Sequence, residues 1–123
     1  MMPYYENIRM LPFVTGTSVY GPFTDKSDID IVMTYYDADR LKEQLMKASF
    51  EIREPNKIIN PVYEGFEFNI ACRSFNVICV ENEKEYMAWR YATNQMLYEN
   101  EIKDRKKRIK LFTSYKEQYL NES

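Results

Sequence analysis

The sequence predicts a small α+β domain, in which helices flank a mixed β-sheet. Short runs rich in β-branched residues, or with alternating apolar and polar residues, predict strands, and two longer helical segments close the chain. The order strand, helix, strand, with a hairpin late in the chain, is typical of a mixed α/β sheet. With 123 residues, the chain has the length of a single domain, residues 1–123, that can bury a core without disulfides.

The first half of the chain predicts strands on both sides of a glycine turn. The predicted elements are a short helix over residues 4–11, a strand over 13–15, a helical turn over 18–22, a loop over 24–27, a strand over 28–34 and a helix over 38–48. The last of these is predicted because Leu41 and Leu45 are spaced i,i+4, and we expect Asp37 to be its N-cap.

The second half predicts a hairpin followed by a C-terminal helical segment over residues 82–119. After a loop over 55–61, strands are predicted over 66–71 and 75–80, with Arg73 and Ser74 as the tight connection between them. Asn82 with Glu85 three residues later is a capping box, which opens a helix through about residue 101. A further helix is predicted over 103–119.

The composition excludes several classes of chemistry. The chain has no histidine, so neither a Ser-His-Asp nor a Cys-His nucleophilic system is available, nor a His-ligated zinc site. We expect both cysteines, Cys72 and Cys79, to be buried and reduced, as in a cytoplasmic protein. The start of the chain does not resemble a signal peptide, and no stretch is long and apolar enough to predict a membrane span.

The most informative pattern is a glycine turn followed by two carboxylates on a strand. Gly16 and Thr17 are followed by ten residues and then by Asp28 and Asp30. Side chains on a strand alternate between its faces, so the two carboxylates are expected on one face. Two like charges placed in this way repel unless a cation lies between them. The pattern therefore predicts a divalent metal, Mg²⁺ or Mn²⁺, held by Asp28 and Asp30.

The residues around the glycine turn predict a site for phosphate. Gly16 permits close backbone approach, Thr17 offers a hydroxyl and an N–H, and the helical turn that begins at Ser18 adds further N–H groups. Among the tyrosines near the turn, Tyr20 is the best candidate to stack on a nucleobase. Phosphate beside a carboxylate-bound metal indicates phosphoryl or nucleotidyl transfer.

This pattern resembles the signature of the DNA polymerase β-like nucleotidyltransferase superfamily. That signature is an apolar residue, a Gly followed by Ser or Gly, a spacer, and two acids separated by an apolar residue. Here Thr15 takes the apolar position and Thr17 keeps the hydroxyl of the commoner Ser. The close match covers residues 13–33, and a weaker one, through 63–66, 75–78 and 89–93, is similar to the small nucleotidyltransferase-like proteins of bacterial viruses.

The resemblance implies a third carboxylate on a later strand, and here the chain departs from the family. Asn76 stands at the expected position, and a neutral amide is a weaker metal ligand that cannot act as a base. Glu67, between two phenylalanines, is the alternative source of the missing charge, although its position also fits a solvent-facing strand residue.

The resemblance implies a protein that binds a nucleoside triphosphate and transfers a nucleotidyl group to a hydroxyl of a protein, RNA or small molecule. Because Asn76 replaces the acid, the alternative is a catalytically silent module that sequesters a nucleotide or inhibits a partner protein. The basic run over residues 103–110 is commonly a solvated helix face, but it also fits a polynucleotide backbone or a triphosphate.

Overall fold

The computed structural model of the protein describes residues 10–54 and 64–122 and has the expected mixed α+β architecture. The strands are β1 (Phe13–Thr15), β2 (Ile29–Thr34), β3 (Glu64–Ile70) and β4 (Arg73–Val80). The helices are α1 (Thr17–Tyr20), α2 (Tyr35–Lys47), α3 (Glu83–Met96) and α4 (Arg105–Glu122). The predicted helix over 4–11 and loop over 55–61 lie wholly or mainly outside the described residues.

The four strands form one sheet in the order β1-β2-β4-β3. The two central strands, β2 and β4, are parallel, and each outer strand is antiparallel to its neighbour. After β2 the chain forms α2, enters the sheet again as the edge strand β3, and then turns back to form β4 between β3 and β2. Within the described ranges, no helix has the length and apolar character needed to cross a membrane.

Each face of the sheet carries its own apolar core. On one face Val32 and Ile78 pack with the buried side of α3, and Phe112 of α4 joins them. On the other face Met33 and Val77 pack with α2. This division follows from the alternation of side chains along β2 and β4, whose central residues are buried on both faces.

Two caps define where the long helices begin. The Asp37 N–H donates to Thr34 Oγ1 at 3.3 Å, so Thr34 is the N-cap of α2 and the prediction of Asp37 was wrong. The strand runs directly into the helix, and its last hydroxyl is already in place to accept that bond. At α3 the predicted cap is confirmed, since the Glu85 N–H donates to Asn82 Oδ1 at 2.8 Å.

The hairpin and the helix ends differ from the predicted boundaries. The β3–β4 turn is at Ala71 and Cys72, with φ of 52° and 63°, rather than at Arg73, which pairs with Ile70. Positive φ at both central residues matches the twist of a two-residue hairpin, so the strands extend further than their apolar pattern indicated. Cys72 is consequently exposed, contrary to prediction, whereas Cys79 is buried. Residues 97–104 separate α3 from α4.

Candidate active site

Four polar residues lie side by side across one face of the sheet. Asp30 of β2 is the register partner of both Thr15 and Asn76, and Asn76 is the register partner of Glu67. Directly paired residues on neighbouring strands project from the same face. We call these residues, Thr15, Asp30, Asn76 and Glu67, the polar row. The sequence singled out three of its members, and only strand pairing places them in one line.

The glycine turn lies directly against the Asp30 carboxylate. Gly16 has φ of 78°, and a Cβ built at this position would overlap Asp30 Oδ2. Both facts restrict the position to glycine, because other residues are strained at such φ and have no room here. Gly16 O accepts from the Val19 N–H at 2.9 Å, which starts α1 beside the carboxylate.

Hydrogen bonds hold the polar row in place. Thr15 and Thr93 of α3 join their hydroxyls at 2.6 Å, and the Thr93 hydroxyl also bonds to the carbonyl of Trp89. Asn76 is buried and its side-chain amide donates to the carboxylate of Asp30. The amide at the third-acid position therefore orients the carboxylate at the centre of the row.

Asp30 is the member of the polar row whose charged form is disfavoured by its surroundings. Burial raises its pKa from 3.8 to about 6; the hydrogen bond from Asn76 lowers the pKa, and the carboxylates of Asp28 and Glu67 raise it. Arg105 of α4 exerts a smaller opposing effect. The carboxylates of Asp28 and Glu67 are therefore close enough to repel that of Asp30, and a cation bound beside Asp30 would relieve this repulsion.

Asp30, Asn76 and Glu67 of the polar row line a pocket of about 490 Å³ that has an acidic wall and a basic wall. The acidic wall is formed by Asp30 and Glu67 from the sheet and by Asp28, which lies just before β2. The basic wall is formed by Arg105, Arg108 and Lys116 from α4, and Lys26 adds a further cation. Thr17, Asn76 and three aromatic side chains, Tyr20, Trp89 and Phe112, also line it.

Two cations of the basic wall have contacts that fix their side chains. Arg108 donates from Nη1 to the carbonyl of Ile102 at 3.0 Å, which ties it to the segment before α4. Lys116 Nζ lies 4.2 Å from the centroid of the Trp89 ring, and burial lowers its pKa. A cation over an aromatic face is stabilised by the ring quadrupole, so Lys116 is held at the pocket surface.

The residues predicted for substrate binding have different environments. Thr17 and Tyr20 line the pocket, whereas Ser18 donates to the carbonyl of Thr15 at 3.3 Å and is not part of the lining. Tyr20 stacks on Phe112 with ring centroids 6.1 Å apart. Burial, together with the nearby Asp30 charge, raises the pKa of Tyr20 to about 12, so its phenol is neutral.

The carboxylates do not form a preassembled metal site. Among residues 10–54 and 64–122, no group of three His, Cys, Asp or Glu side chains is placed to hold a metal ion. Glu67 lines the pocket rather than an open solvent face, but its Oε1 is 3.7 Å from Arg53 Nη2. Asp28 lies just before β2 and is exposed. A metal here would rest on Asp28 and Asp30, with other ligands supplied by what binds beside them.

The basic run over residues 103–110 was a candidate for binding a triphosphate, but its periodicity alone does not say which face of the helix turns towards the carboxylates. Lys116, which lies outside this run, was missed. Arg53 was also missed, because it is brought to the polar row by tertiary pairing, through a β-bridge and an ion pair with Glu67.

Compared with protein-family models, curated proteins and solved structures, the chain matches none. The functional argument therefore depends on the geometry and chemistry of the pocket.

Proposed function

We propose that the protein is a nucleotidyltransferase that binds a nucleoside triphosphate with Mg²⁺ and transfers the nucleotidyl group to a hydroxyl acceptor. The observation that supports this most directly is the opposition of two charged walls across one pocket. Asp28, Asp30, Arg105 and Arg108 line the same pocket, and Arg105 lies close enough to Asp30 to lower the pKa of its carboxyl. A polyphosphate carrying a divalent cation has the complementary arrangement, with a metal for the carboxylates and free phosphate oxygens for the guanidinium groups.

The donor set suits Mg²⁺ when a nucleotide is present. Mg²⁺ prefers oxygen ligands and is often held by one or two carboxylates together with substrate phosphates, which is what Asp28 and Asp30 can supply. When bound, the ion would polarise the phosphate and help to ionise the attacking hydroxyl. The mutual repulsion around Asp30 supports this assignment, since a cation offsets it.

The chain's own residues would bind and orient the reactants. Arg105 and Arg108 would hold the phosphates and neutralise charge that develops on the leaving pyrophosphate. In the reaction, the acceptor oxygen forms a bond to the α-phosphorus, and the bond from that phosphorus to the bridging oxygen breaks. Pyrophosphate leaves with the electron pair, and the hydroxyl proton passes to water or to a carboxylate of the polar row.

The test is incubation with labelled triphosphates, Mg²⁺ or Mn²⁺ and broad pools of acceptors. We expect transfer by the parent and its loss in Asp28→Ala/Asp30→Ala. Since the carboxylates alone form an incomplete site, we also expect metal binding by calorimetry to be weak without nucleotide and much tighter with it. If the parent transfers nothing and the double variant keeps the parent's nucleotide affinity, the proposal is wrong.

A silent nucleotide-binding module is the second candidate, and Asn76 favours it. The buried Asn76 amide donates to Asp30 where the family resemblance implies an acid. This bond stabilises the carboxylate without a metal, so the pocket could hold a nucleotide without activating a hydroxyl.

Asn76→Asp separates the two candidates. The change replaces a hydrogen bond to Asp30 with a third carboxylate, so we expect it to destabilise the metal-free protein and to tighten metal binding. Activity that appears in Asn76→Asp and is absent from the parent identifies the parent as the silent form. A parent that is already active, and that this change barely affects, excludes the silent module.

A further inference from the structure

The segment between α1 and β2 forms part of the pocket wall, although it belongs to neither a helix nor a strand. We call residues 22–28 the pocket loop. Four of its residues line the pocket; they are Pro22, Lys26, Ser27 and Asp28. The charge of Asp28 raises the pKa of the Asp30 carboxyl, so the two side chains lie close together. The position of this carboxylate therefore depends on what holds the loop.

Arg73, the first residue of β4, holds the pocket loop from outside the pocket. Its Nη1 donates to the carbonyl of Ser27 at 3.2 Å and to that of Asp25 at 3.5 Å. Its guanidinium also lies over the ring of Phe23, with Cζ 5.1 Å from the ring centroid. Arg73 is not among the residues that line the pocket. It therefore contacts the pocket loop without facing a ligand bound there.

Strand register explains why Arg73 reaches this loop. The strands β2 and β4 are parallel, and Ile29 pairs with Phe75. Ser27 and Arg73 each lie two residues before these partners, so they are neighbours just beyond the paired part of the two strands. Arg73 also pairs with Ile70 of β3, which fixes its backbone. The side chain thus extends to the loop from a fixed point of the sheet.

The two carbonyls that accept from Arg73 belong to peptide groups that lead directly into charged pocket residues. A peptide group is planar and includes the Cα atom of the residue that follows it. The bond to the carbonyl of Ser27 therefore restrains the plane that contains the N and Cα atoms of Asp28. The bond to the carbonyl of Asp25 restrains Lys26 in the same way.

We propose that Arg73 is a positioning residue, which holds the pocket loop so that the Asp28 carboxylate lies beside Asp30 before a metal and a nucleotide bind. This inference rests on the proposed function and adds a residue that acts from outside the pocket. A loop that is already ordered loses less conformational entropy on binding, so affinity increases without any contact between Arg73 and the ligand.

The guanidinium group suits this position better than an ammonium group does. It is planar, so it can lie over the Phe23 ring while its N–H groups point to carbonyl oxygens at its edge. A lysine at this position keeps the charge but has no planar group to match. Arg73→Lys therefore separates the effect of charge from the effect of geometry.

The first experiment measures triphosphate affinity by calorimetry, with Mg²⁺ and with a chelator, and takes the ratio as the gain due to metal. The variants are Arg73→Met, Arg73→Lys and Arg73→Met/Asp28→Ala, with Asp28→Ala beside them. The matched control is Arg40→Met, because Arg40 is exposed on α2 and lies over the Tyr36 ring, away from the pocket. Urea unfolding is measured for every variant.

A second experiment reports on the loop without any ligand. Lys26 is exposed in the pocket loop, so trypsin can cleave after it whenever the loop opens. The rate of this cleavage in the native protein is measured by mass spectrometry for Arg73→Met, Arg73→Lys and Arg40→Met.

We expect Arg73→Met to lower the gain due to metal by about tenfold, which corresponds to the cost of ordering a few side chains. Cleavage after Lys26 should be about tenfold faster, because the loop opens more often. Arg73→Lys should fall between Arg73→Met and the parent, and it carries the same comparison if Arg73→Met does not fold. In the Asp28→Ala background Arg73→Met should cause no further loss, since the carboxylate that Arg73 positions is absent. The control should match the parent.

Several results would overturn the inference. Equal cleavage after Lys26 in Arg73→Met and Arg40→Met does so whatever the protein binds. An unchanged gain due to metal in Arg73→Met, or an equal loss in the Asp28→Ala background, means that Arg73 does not act through Asp28. Full rescue by Arg73→Lys assigns the effect to charge. A parent whose triphosphate affinity does not depend on metal refutes the proposed function instead, and faster cleavage of Arg73→Met then still shows that Arg73 orders the loop.

Discussion

One face of the sheet has two ends that differ in purpose. At one end Val32 and Ile78 are covered by α3 and are almost completely buried. Two residues earlier on the same strands, Asp30 and Asn76 project from the same face into the pocket beneath α4. The backbone and the pairing are the same at both ends, so side chains and the covering helix alone make one end a core and the other a site.

The two helices that cover this face, α3 and α4, also differ in how many residues they bury. The inner face of α3 buries six residues, whereas the longer α4 buries one, Phe112. The pocket side of α4 carries cations between its apolar residues, so it covers the polar row without closing over it. Stability should therefore depend on α3, and ligand binding on α4 and the polar row.

The largest loss of stability is expected for Tyr86→Ala, at the apolar end of the face. Tyr86 is completely buried, packs edge-on against Phe13 and donates from its hydroxyl to the carbonyl of Leu11 at 2.7 Å. We expect a loss of about 3–5 kcal/mol in the free energy of unfolding, measured in urea. The matched change in α4, Tyr115→Ala, removes a partly exposed ring and should cost about 1 kcal/mol. Equal losses would contradict the division between the helices.

The next largest loss of stability is expected for Gly16→Ala, at the boundary between the apolar end and the polar end of the face. Left-handed φ for alanine costs about 1–2 kcal/mol, and the new methyl group must also displace the Asp30 carboxylate. Gly21→Ala is the control, because Gly21 has φ of 73° but its added Cβ would meet only the end of the Glu101 side chain, at 2.8 Å from Oε2. Both variants should be less stable, and only Gly16→Ala should also lose metal-dependent nucleotide binding.

Asp30→Asn should stabilise the metal-free protein at neutral pH. Folding raises the pKa of Asp30 from 3.8 to about 6, so the folded protein holds this proton more tightly. That contribution favours folding below about pH 4 and is lost as the pH rises through 6. The asparagine side chain of the variant does not titrate. With a chelator present to keep the protein metal-free, the free energy of unfolding of the variant should exceed that of the parent by about 1–3 kcal/mol above pH 6 and by little at pH 4. A gain independent of pH would assign the effect to packing instead.

The smallest effect on stability is expected for the basic wall. Arg105→Gln should change the free energy of unfolding by less than about 0.5 kcal/mol, because its side chain is exposed. It faces the acidic wall, so triphosphate affinity should fall by about tenfold, and isothermal titration would detect this. Lys107→Gln, on the other side of the helix, should leave triphosphate affinity unchanged. A similar loss in both would mean that general charge, rather than the pocket, attracts the phosphate.

Much of the local structure follows from the chain alone. The β-branched residues over 28–34 and the largely apolar run over 75–80 predicted the central strands, and Asn82 with Glu85 predicted the start of α3. The predictions failed where neighbouring structure decided the outcome. The hairpin turn is at Ala71 and Cys72 rather than at the predicted Arg73 and Ser74, because cross-strand pairing extends the strands past their apolar pattern.

The sequence by itself determined the fold class, the glycine turn and the two aspartates, because these depend on local periodicity and on residues close in the chain. Only the tertiary structure decided what faces them. Asn76 and Glu67 join Asp30 through strand register, and Arg105 and Arg108 reach the opposite wall through the packing of α4 on α3. Register and helix packing are set by burial summed over many residues. The composition of the pocket is therefore not contained in any one segment of the chain.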